Sequence, residues 1–403
     1  RVISLLVWRF FLSIFNLPDT IFMTVILNVI DNPRAFWVVN SLFVFALSVF
    51  CAGVLIPQIL LISFRKRLFD VPDERKIHQG VVPRLGGIAF KPVVFFSVAL
   101  ALGLNMLLGY GQLLGNIGSE SRPLAFGFCT IMMLYLVGMA DDLIGIRYRA
   151  KFAIQIICGL LVIAGGLWIN NLHGLLFIHA LPEWIGYPIT LFAVVFIINA
   201  INLIDGIDGL ASGLCGVAML FYGLVFFIIG EYIYALLAFA TLGVLVPFFY
   251  YNVFGDPAKK NKIFMGDTGS LTIGMMTCIL SLKLLNGFPV NPSMQQPNAF
   301  FLAYSPLIIP CFDVVRVYLH RVRNGKNPFL PDKNHIHHKM LAVGIRQRTA
   351  MIIIVLVSVC FTLCNILLSR YINVTLLLIL NIFIWTLGNL WLTRRIHIAH
   401  SKL

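Results

Sequence analysis

Long apolar stretches follow one another along nearly the whole chain and are separated by short polar segments. A helix of about 20 residues crosses the hydrocarbon core of a bilayer, which is roughly 30 Å thick. The apolar residues are continuous and do not alternate with polar ones, which favours helices over a β-barrel. The pattern predicts an all-α, polytopic membrane protein of about eleven transmembrane helices. We place these helices at residues 38–62, 86–108, 123–140, 152–171, 184–204, 209–229, 232–251, 267–287, 299–320, 348–369 and 373–393.

The composition supports a membrane protein, because 60% of the 403 residues are hydrophobic and only 11% are charged. The net charge of +14 would suggest a nucleic-acid partner in a soluble protein. Membrane proteins, however, collect Lys and Arg in their cytoplasmic loops, so we expect no nucleic-acid partner. The eight cysteines are scattered through apolar segments without zinc-site spacing. We expect them to pack as free thiols.

Basic residues are concentrated in the loops on one side of the predicted bundle. The loops on the other side contribute only Arg122 and Arg370. By the positive-inside rule, the basic side faces the cytoplasm. The chain shows no internal repeat, which predicts a single membrane domain over residues 36–403. Residues 1–35 form an N-terminal segment whose role the sequence leaves open.

Several aspartates fall where the predicted helices meet the basic side. A carboxylate at the edge of a membrane is costly, so its presence there suggests a function. In MADDLIGI, Asp141 and Asp142 are adjacent and would repel each other unless a cation neutralised them. The structural alternative for this pair is helix capping in a solvated turn.

The segment NAINLIDGIDGL contains Asn202, Asp205 and Asp208 at a spacing of three residues. This spacing predicts that the three side chains share one face of a helix end. In FMGDTGSL, Asp267 is predicted to lie in a glycine-flanked turn before an apolar helix, where backbone N–H groups could bind a phosphate. Both segments could instead be ordinary polar helix ends and turns.

Histidines and basic residues surround these aspartates in the basic loops. The segment NPFLPDKNHIHHKM offers His335, His337 and His338 beside lysines. These histidines could bind zinc, contact phosphate or be solvated, and we favour phosphate contact because it agrees with the aspartate clusters. Asp313 and Arg316 are spaced for an ion pair on one helix. Hard oxygen ligands with anion-binding bases suit Mg²⁺ or Mn²⁺ carrying a phosphate or pyrophosphate.

Five segments together resemble one enzyme family. PDERKIHQGVVPRLGG, MADDLIG, NLIDGIDGL, MGDTGS and PFLPDKNHIHH lie in order over residues 72–338. They are similar to the motifs of the polyprenyl-phosphate N-acetylhexosamine-1-phosphate transferases, glycosyltransferase family 4. The forms PDxRKxH, PRxGG and HIHH resemble the undecaprenyl-phosphate N-acetylglucosamine-1-phosphate transferases more than the phospho-MurNAc-pentapeptide transferases.

The resemblance implies a many-helix enzyme of the bacterial plasma membrane with a cytoplasmic active site. Such an enzyme moves N-acetylhexosamine 1-phosphate from a UDP-sugar to undecaprenyl phosphate and releases UMP; the forms of the motifs favour N-acetylglucosamine 1-phosphate. This is the first membrane step of cell-envelope glycan synthesis. The resemblance also implies Mg²⁺ or Mn²⁺ as cofactor, and it leaves a homodimer open.

Carried over position by position, the resemblance assigns three groups of residues. Those implied in catalysis are Asp141, Asp142, Asp205 and Asp208. Those implied in metal binding are Asp267, Asp142 and Asn202. Those implied in substrate binding are Asn202, Lys151, Lys76, His78, Arg84, Arg316, His335, His337 and His338.

The residues leave several alternatives open. The lipid phosphate could attack directly, or an aspartate could form a covalent sugar-phosphate intermediate; we favour direct attack. The donor could be UDP-N-acetylgalactosamine, another modified hexosamine or UDP-MurNAc-pentapeptide. An ion-coupled secondary transporter would also use intramembrane carboxylates, but it would place them near the bilayer midplane.

Overall fold

The structure, a computed structural model, describes residues 33–68, 82–111, 117–286, 298–327 and 334–400. Its longer helices follow the predicted spans. They are α1 Pro33–Lys66, α2 Phe90–Leu107, α3 Ile117–Ile144, α4 Tyr148–Ala164, α5 Glu183–Ile204, α6 Leu210–Ile229, α7 Tyr232–Val253 and α8 Gly266–Leu285. They continue with α9 Ala299–Tyr304, α10 Ile308–Arg323, α11 Ile336–Ala342, α12 Gln347–Leu368 and α13 Val374–His400.

The predicted all-α, polytopic class is confirmed, since every predicted span overlaps a helix. Within the described ranges, ten helical segments are long and apolar enough to cross a membrane. The protein is therefore a multi-pass membrane protein. Of the eleven predicted spans, the fourth corresponds to a helix, α4, that has only 17 residues and is too short to count among these ten.

The predicted fourth span, 152–171, is wrong at both ends, because α4 begins at Tyr148 and ends at Ala164. Gly165 and Gly166 follow it, and Gly166 adopts a positive φ of 91° that favours glycine and ends the helix. The chain then forms an antiparallel hairpin of β1 Asn171–Leu175 and β2 Ile178–Ala180. This hairpin is a small exception to the all-α prediction.

The predicted ninth span is one crossing built from two helices. A 3₁₀ turn, Ser305–Leu307, joins α9 to α10. Pro306 and Pro310 lie in and just after this turn. Because proline has no N–H to donate, two hydrogen bonds of a regular α-helix are missing there.

Helix α8 is the centre of the bundle. Nearly all its residues are buried, and it packs against α3, α5 and α6. Its sequence is apolar or small on every side, as expected for a helix enclosed by others. Three of its hydroxyl groups, those of Ser270, Thr272 and Thr277, donate to carbonyls within the helix, whereas Ser281 donates to the carbonyl of Ala303 on α9. The first turn of α8 thus places Asp267 in the middle of one end of the bundle.

A second charged group lies at the opposite end of α8. Lys283 Nζ is 2.8 Å from Glu120 Oε1 on α3 and 3.5 Å from Glu231 Oε1 before α7. Tyr234 donates a hydrogen bond of 2.6 Å to the other oxygen of Glu120. We call these four residues the far-end cluster. They link three helices at the end of the bundle that is remote from Asp267.

All eight cysteines lie in the described part of the chain and are free thiols, as predicted.

Candidate functional site

The PRLGG segment pairs with the chain that leads into α8. Phe264 donates its backbone N–H to the carbonyl of Pro83 at 2.8 Å. Gly86 and Gly87 donate theirs to the carbonyls of Phe264 and Met265 at 3.0 and 2.9 Å. These three hydrogen bonds fix the entry to α8, so one role of the PRLGG segment is to position the MGDTGS segment.

Glycines let the backbones of this region approach each other closely. A Cβ atom on Gly87 would lie 2.0 Å from the backbone nitrogen of Gly269. A Cβ atom on Gly138 of α3 would lie 2.6 Å from the Cα of Thr268. Because these contacts are with backbone atoms, a side chain could not be accommodated by a rotamer change. The glycines of two motifs therefore bring three chain segments to the start of α8.

Asp142 anchors the first turn of α8 from the last turn of α3. Its Oδ1 accepts the N–H of Asp267 at 2.8 Å, and its Oδ2 accepts the N–H and hydroxyl of Thr268 at 2.8 and 2.6 Å. A carboxylate in this position satisfies free N–H groups and stabilises the helix N-terminus. The expectation that these N–H groups bind a phosphate is wrong here, since they bind Asp142. The catalytic and metal-binding roles of Asp142 stay predictions.

Asp141 lies beside Asp142 but makes different contacts. Lys151 of α4 places its ammonium 2.9 Å from Asp141 Oδ2 and 2.7 Å from Asp267 Oδ2. Asn202 of α5 donates to Asp267 Oδ1 at 3.0 Å and to Ser270 Oγ at 2.8 Å. The end of the bundle therefore gathers two carboxylates, one lysine and one amide from four helices.

The oxygen donors of this group fit a hard divalent cation. Among the described residues, no three His, Cys, Asp or Glu side chains form a cluster that could hold a metal by themselves. The donors present are the carboxylates of Asp141 and Asp267 and the amide of Asn202. Two neighbouring carboxylates share one lysine, which leaves a net negative charge for a cation to neutralise. Mg²⁺ accepts one or two protein carboxylates and completes its shell with water and substrate phosphates, so the donor set fits.

The NLIDGIDGL segment does not form one helical face, and that prediction is wrong. Helix α5 ends at Ile204, and α6 begins at Leu210. Gly209 adopts a left-handed conformation with φ of 76°, which interrupts the helix. Asn202 lies on α5, whereas Asp205 and Asp208 lie in the turn, where Asp208 pairs with Lys262.

Asp208 and Asp205 differ in environment. Lys262 Nζ lies 2.5 Å from Asp208 Oδ2. Asp205 has an exposed surface, but many protein atoms surround its carboxyl group, which accepts no hydrogen bond within the described part of the chain. Loss of hydration among surrounding protein atoms raises the pKa of Asp205 to about 7, and the charges of Asp267 and Asp208 add to this rise. Arg84, predicted to bind substrate, is near enough for its positive charge to oppose this rise in the pKa of Asp205.

Sequence reasoning missed Asn252 on α7. Its Oδ1 accepts the N–H of Gly209 at 2.6 Å, and its Nδ2 donates to the carbonyl of Ile263 at 2.9 Å. One buried amide therefore ties the DGIDG turn to the chain leading into α8. An asparagine in an apolar, aromatic stretch, PFFYYNVF, was the available signal. Sequence reasoning also missed the role of Lys262, which pairs with Asp208.

The chain around His335, His337 and His338, which we call the histidine segment, packs against the turn at residues 205–209, which we call the aspartate turn. A Cβ atom on Gly206 would lie 2.2 Å from Nε2 of His337, so the ring rests on this glycine. His337 is buried, and neither of its ring nitrogens has a hydrogen-bond partner among the described residues. Burial lowers the pKa of His337 to about 3, so the ring is neutral at physiological pH. Two buried nitrogens that lie against Gly206 and have no partner in the described part of the chain are suited to a polar ligand.

His335 and Arg316 both contact Asp313 of α10, and their substrate-binding roles stay predictions. The predicted ion pair of Asp313 with Arg316 is present, with Arg316 Nη2 2.8 Å from Asp313 Oδ1. The ring of His338 packs against that of His337 at an interplanar angle of 48°, with ring centroids 4.2 Å apart. Burial, followed by the charge of Arg316, lowers the pKa of Lys339 to about 8. Lys76 and His78 lie outside the described residues.

Comparison with known proteins agrees with this geometry. A family model described as glycosyl transferase family 4 matches residues 124–285. An undecaprenyl-phosphate alpha-N-acetylglucosaminyl 1-phosphate transferase of Yersinia pestis is 32% identical over 307 residues, which cover 74% of this chain and 76% of the relative. The corresponding protein of Escherichia coli K12 is 31% identical and covers 72% of this chain and 74% of the relative.

A third relative, from Bacillus subtilis strain 168, carries the name probable undecaprenyl-phosphate N-acetylglucosaminyl 1-phosphate transferase. It is 30% identical over 347 residues, or 84% of this chain and 88% of the relative. The matched region contains α3 to α8, whose ends carry the carboxylates, Lys151 and Asn202. Sequence identity at this coverage and the convergence of the motifs on one end of the bundle show that the chain belongs to glycosyl transferase family 4, among the polyprenyl-phosphate N-acetylglucosamine-1-phosphate transferases.

Proposed function

We propose that the protein transfers N-acetylglucosamine 1-phosphate from UDP-N-acetylglucosamine to undecaprenyl phosphate and releases UMP. The relatives named for this transfer support the reaction and the lipid acceptor. The observation that carries the proposal is the meeting of Asp141, Asp267, Lys151 and Asn202 at one end of the bundle. This end is where the head group of a membrane lipid and a soluble nucleotide sugar can both reach the same residues.

The proposed cofactor is Mg²⁺ or Mn²⁺, held by Asp267 with Asp141 and Asn202 nearby. Such an ion would neutralise charge on the diphosphate of the donor. Asp142 would support this site indirectly, because it fixes the turn that carries Asp267.

The protein's own residues supply the remaining requirements of phosphoryl transfer, which are positioning and charge neutralisation. Lys151 holds Asp141 and Asp267 together, and its ammonium would be able to contact a phosphate oxygen if these carboxylates held a cation. His337 offers neutral ring nitrogens beside the aspartate turn. The lipid phosphate is itself a nucleophile, so direct attack needs no covalent enzyme intermediate.

We also propose that this end of the bundle faces the cytoplasm of a bacterial cell, in its plasma membrane. The basic loops on this side support that orientation by the positive-inside rule.

The experiment that tests the function is an assay of UMP release by the purified protein in detergent. The assay contains undecaprenyl phosphate, Mg²⁺ and either UDP-N-acetylglucosamine or UDP-N-acetylgalactosamine. We expect UMP from the first donor only, and only when the lipid is present. Lipid-dependent UMP from the second donor alone would overturn the proposed sugar, and no UMP from either would overturn the proposed function.

Direct attack makes a separate prediction. When the protein is mixed with UDP-N-acetylglucosamine in the absence of lipid, we expect no burst of UMP stoichiometric with enzyme. A covalent route would release one UMP per active site and leave the sugar phosphate on the protein. Rapid-quench measurement of UMP, with mass spectrometry of the intact protein, distinguishes these results.

The raised pKa of Asp205 predicts a pH dependence. Its carboxyl group is neutral well below pH 7 and charged well above it, so any role as a base is available only as the pH rises through about 7. We expect kcat/KM to rise over this range and the part of the rise near pH 7 to be lost in Asp205→Asn. The lipid phosphate also titrates near pH 6, and the variant separates the two contributions because it retains the lipid. The same rise in wild type and variant would remove the assignment.

A further inference from the structure

Two residues of α10, Asp313 and Arg316, form hydrogen bonds with the backbone on either side of His335. Asp313 Oδ1 accepts the N–H of Ile336 at 3.0 Å and a hydrogen bond from Arg316 Nη2 at 2.8 Å. The same Arg316 nitrogen donates to the carbonyl of Asn334. The loop is therefore held at the carbonyl of one residue and at the N–H two residues later. We call this pair the Asp313–Arg316 bracket.

Asp313 of the bracket also orients the imidazole ring of His335. Asp313 Oδ2 lies 2.8 Å from Nδ1 of His335. A carboxylate can only accept, so Nδ1 carries the proton, and Nε2 is the nitrogen available to a ligand. Within the described residues, His335 makes no other side-chain hydrogen bond. A carboxylate that sets the tautomer and orientation of a histidine is a recurrent way to prepare that histidine for binding.

The charged groups of the bracket are buried, so forming it costs desolvation free energy. Asp313 is fully buried, and Arg316 and His335 are largely so, with side-chain exposures of 16% and 8%. A buried ion pair is weak evidence for stability, because desolvation offsets most of its attraction. The bracket does, however, determine where α11 begins, and α11 carries His337 onto Gly206.

We infer that Asp313 is a positioning residue for the transfer reaction: with Arg316, it holds the histidine segment against the aspartate turn so that the histidines contact the phosphates of the donor. The inference rests on the proposed function. It assigns to Arg316 a bracing contact in place of the direct substrate contact that the sequence suggested. Asp313 does not itself touch substrate.

The test is a double-mutant cycle on UMP release. Asp313→Asn keeps the shape of the side chain but removes its charge and one acceptor. We expect kcat/KM for UDP-N-acetylglucosamine to fall about 10- to 100-fold, as for other residues that orient a ligand-binding histidine. In a His335→Ala background, the same substitution should lower kcat/KM by a clearly smaller factor, because its action through the His335 ring is already lost and only its contact with the N–H of Ile336 remains.

Controls separate positioning from general stability. Glu120→Gln in the far-end cluster also removes a partly buried carboxylate paired with a lysine and a hydroxyl. We expect Glu120→Gln to lower the midpoint temperature of thermal unfolding while leaving kcat/KM unchanged. Arg316→Gln provides a second probe in case Asp313→Asn does not fold, and it should show the same dependence on His335.

Three results would overturn the inference. The first is a folded Asp313→Asn protein with wild-type kcat/KM. The second is a full multiplication of the Asp313 and His335 effects, which would show that they act independently. The third is an equal loss of kcat/KM in Glu120→Gln, which would reduce the bracket to a contribution to stability. A wild-type protein that releases no UMP would instead overturn the proposed function, and this inference with it.

Discussion

Asp267→Asn is expected to lower lipid-dependent UMP release by about 10²- to 10³-fold, the usual cost of losing one preorganised electrostatic contact. Asparagine retains an oxygen that can accept from Asn202, so the fold should survive. It removes the negative charge that faces Lys151 and that would hold the proposed cation. The variant should also need more Mg²⁺ for half-maximal rate. Initial rates over a Mg²⁺ titration measure both effects.

Asp256→Asn is the matched control for this substitution. Asp256 lies in the same loop that leads to α8, where its side chain accepts the N–H of Ala258 at 2.9 Å. It takes no part in the carboxylate group, so we expect wild-type rates and an unchanged Mg²⁺ requirement. Asp267→Asn with activity within about threefold of wild type would contradict the proposed metal site.

Gly87→Ala is expected to cost both activity and stability. The new Cβ atom would lie 2.0 Å from the backbone nitrogen of Gly269 and 2.8 Å from the carbonyl carbon of Thr268. Neither atom can move by rotamer change, so PRLGG and the first turn of α8 must separate. Overpacking of this kind costs about 1–3 kcal/mol of stability. A displacement of about 1 Å at a site of group transfer costs about 10²-fold in rate.

Gly103→Ala provides the comparison for this steric argument. Gly103 lies in α2, and nothing lies within 4 Å of a Cβ atom built on it. Alanine there should stabilise the helix by about 0.5–1 kcal/mol and leave UMP release unchanged. Thermal unfolding in detergent and the UMP assay measure the two variants side by side. Equal behaviour of Gly87→Ala and Gly103→Ala would show that the close approach of PRLGG to α8 does not matter.

The sequence predicted the polar residues of the site better than their partners. Asp141 and Asp142 are equivalent in sequence, yet one contacts Lys151 and the other caps α8. Spacing along the chain could not separate them, because the difference depends on which side of α3 meets α8. Asn252 and Lys262 were missed for the same reason, since each acts on a segment distant in sequence.

The sequence by itself determined the membrane class, the spans and the family, because continuous apolar runs and short motifs are local properties. It did not determine where α4 ends or how the NLIDGIDGL segment turns, since glycine permits both helix and left-handed turns. Only the tertiary structure brought α3, α4, α5 and α8 together around Asp267. Only it placed Asp313 under the histidine segment, because contacts between distant segments are decided by packing of the whole bundle.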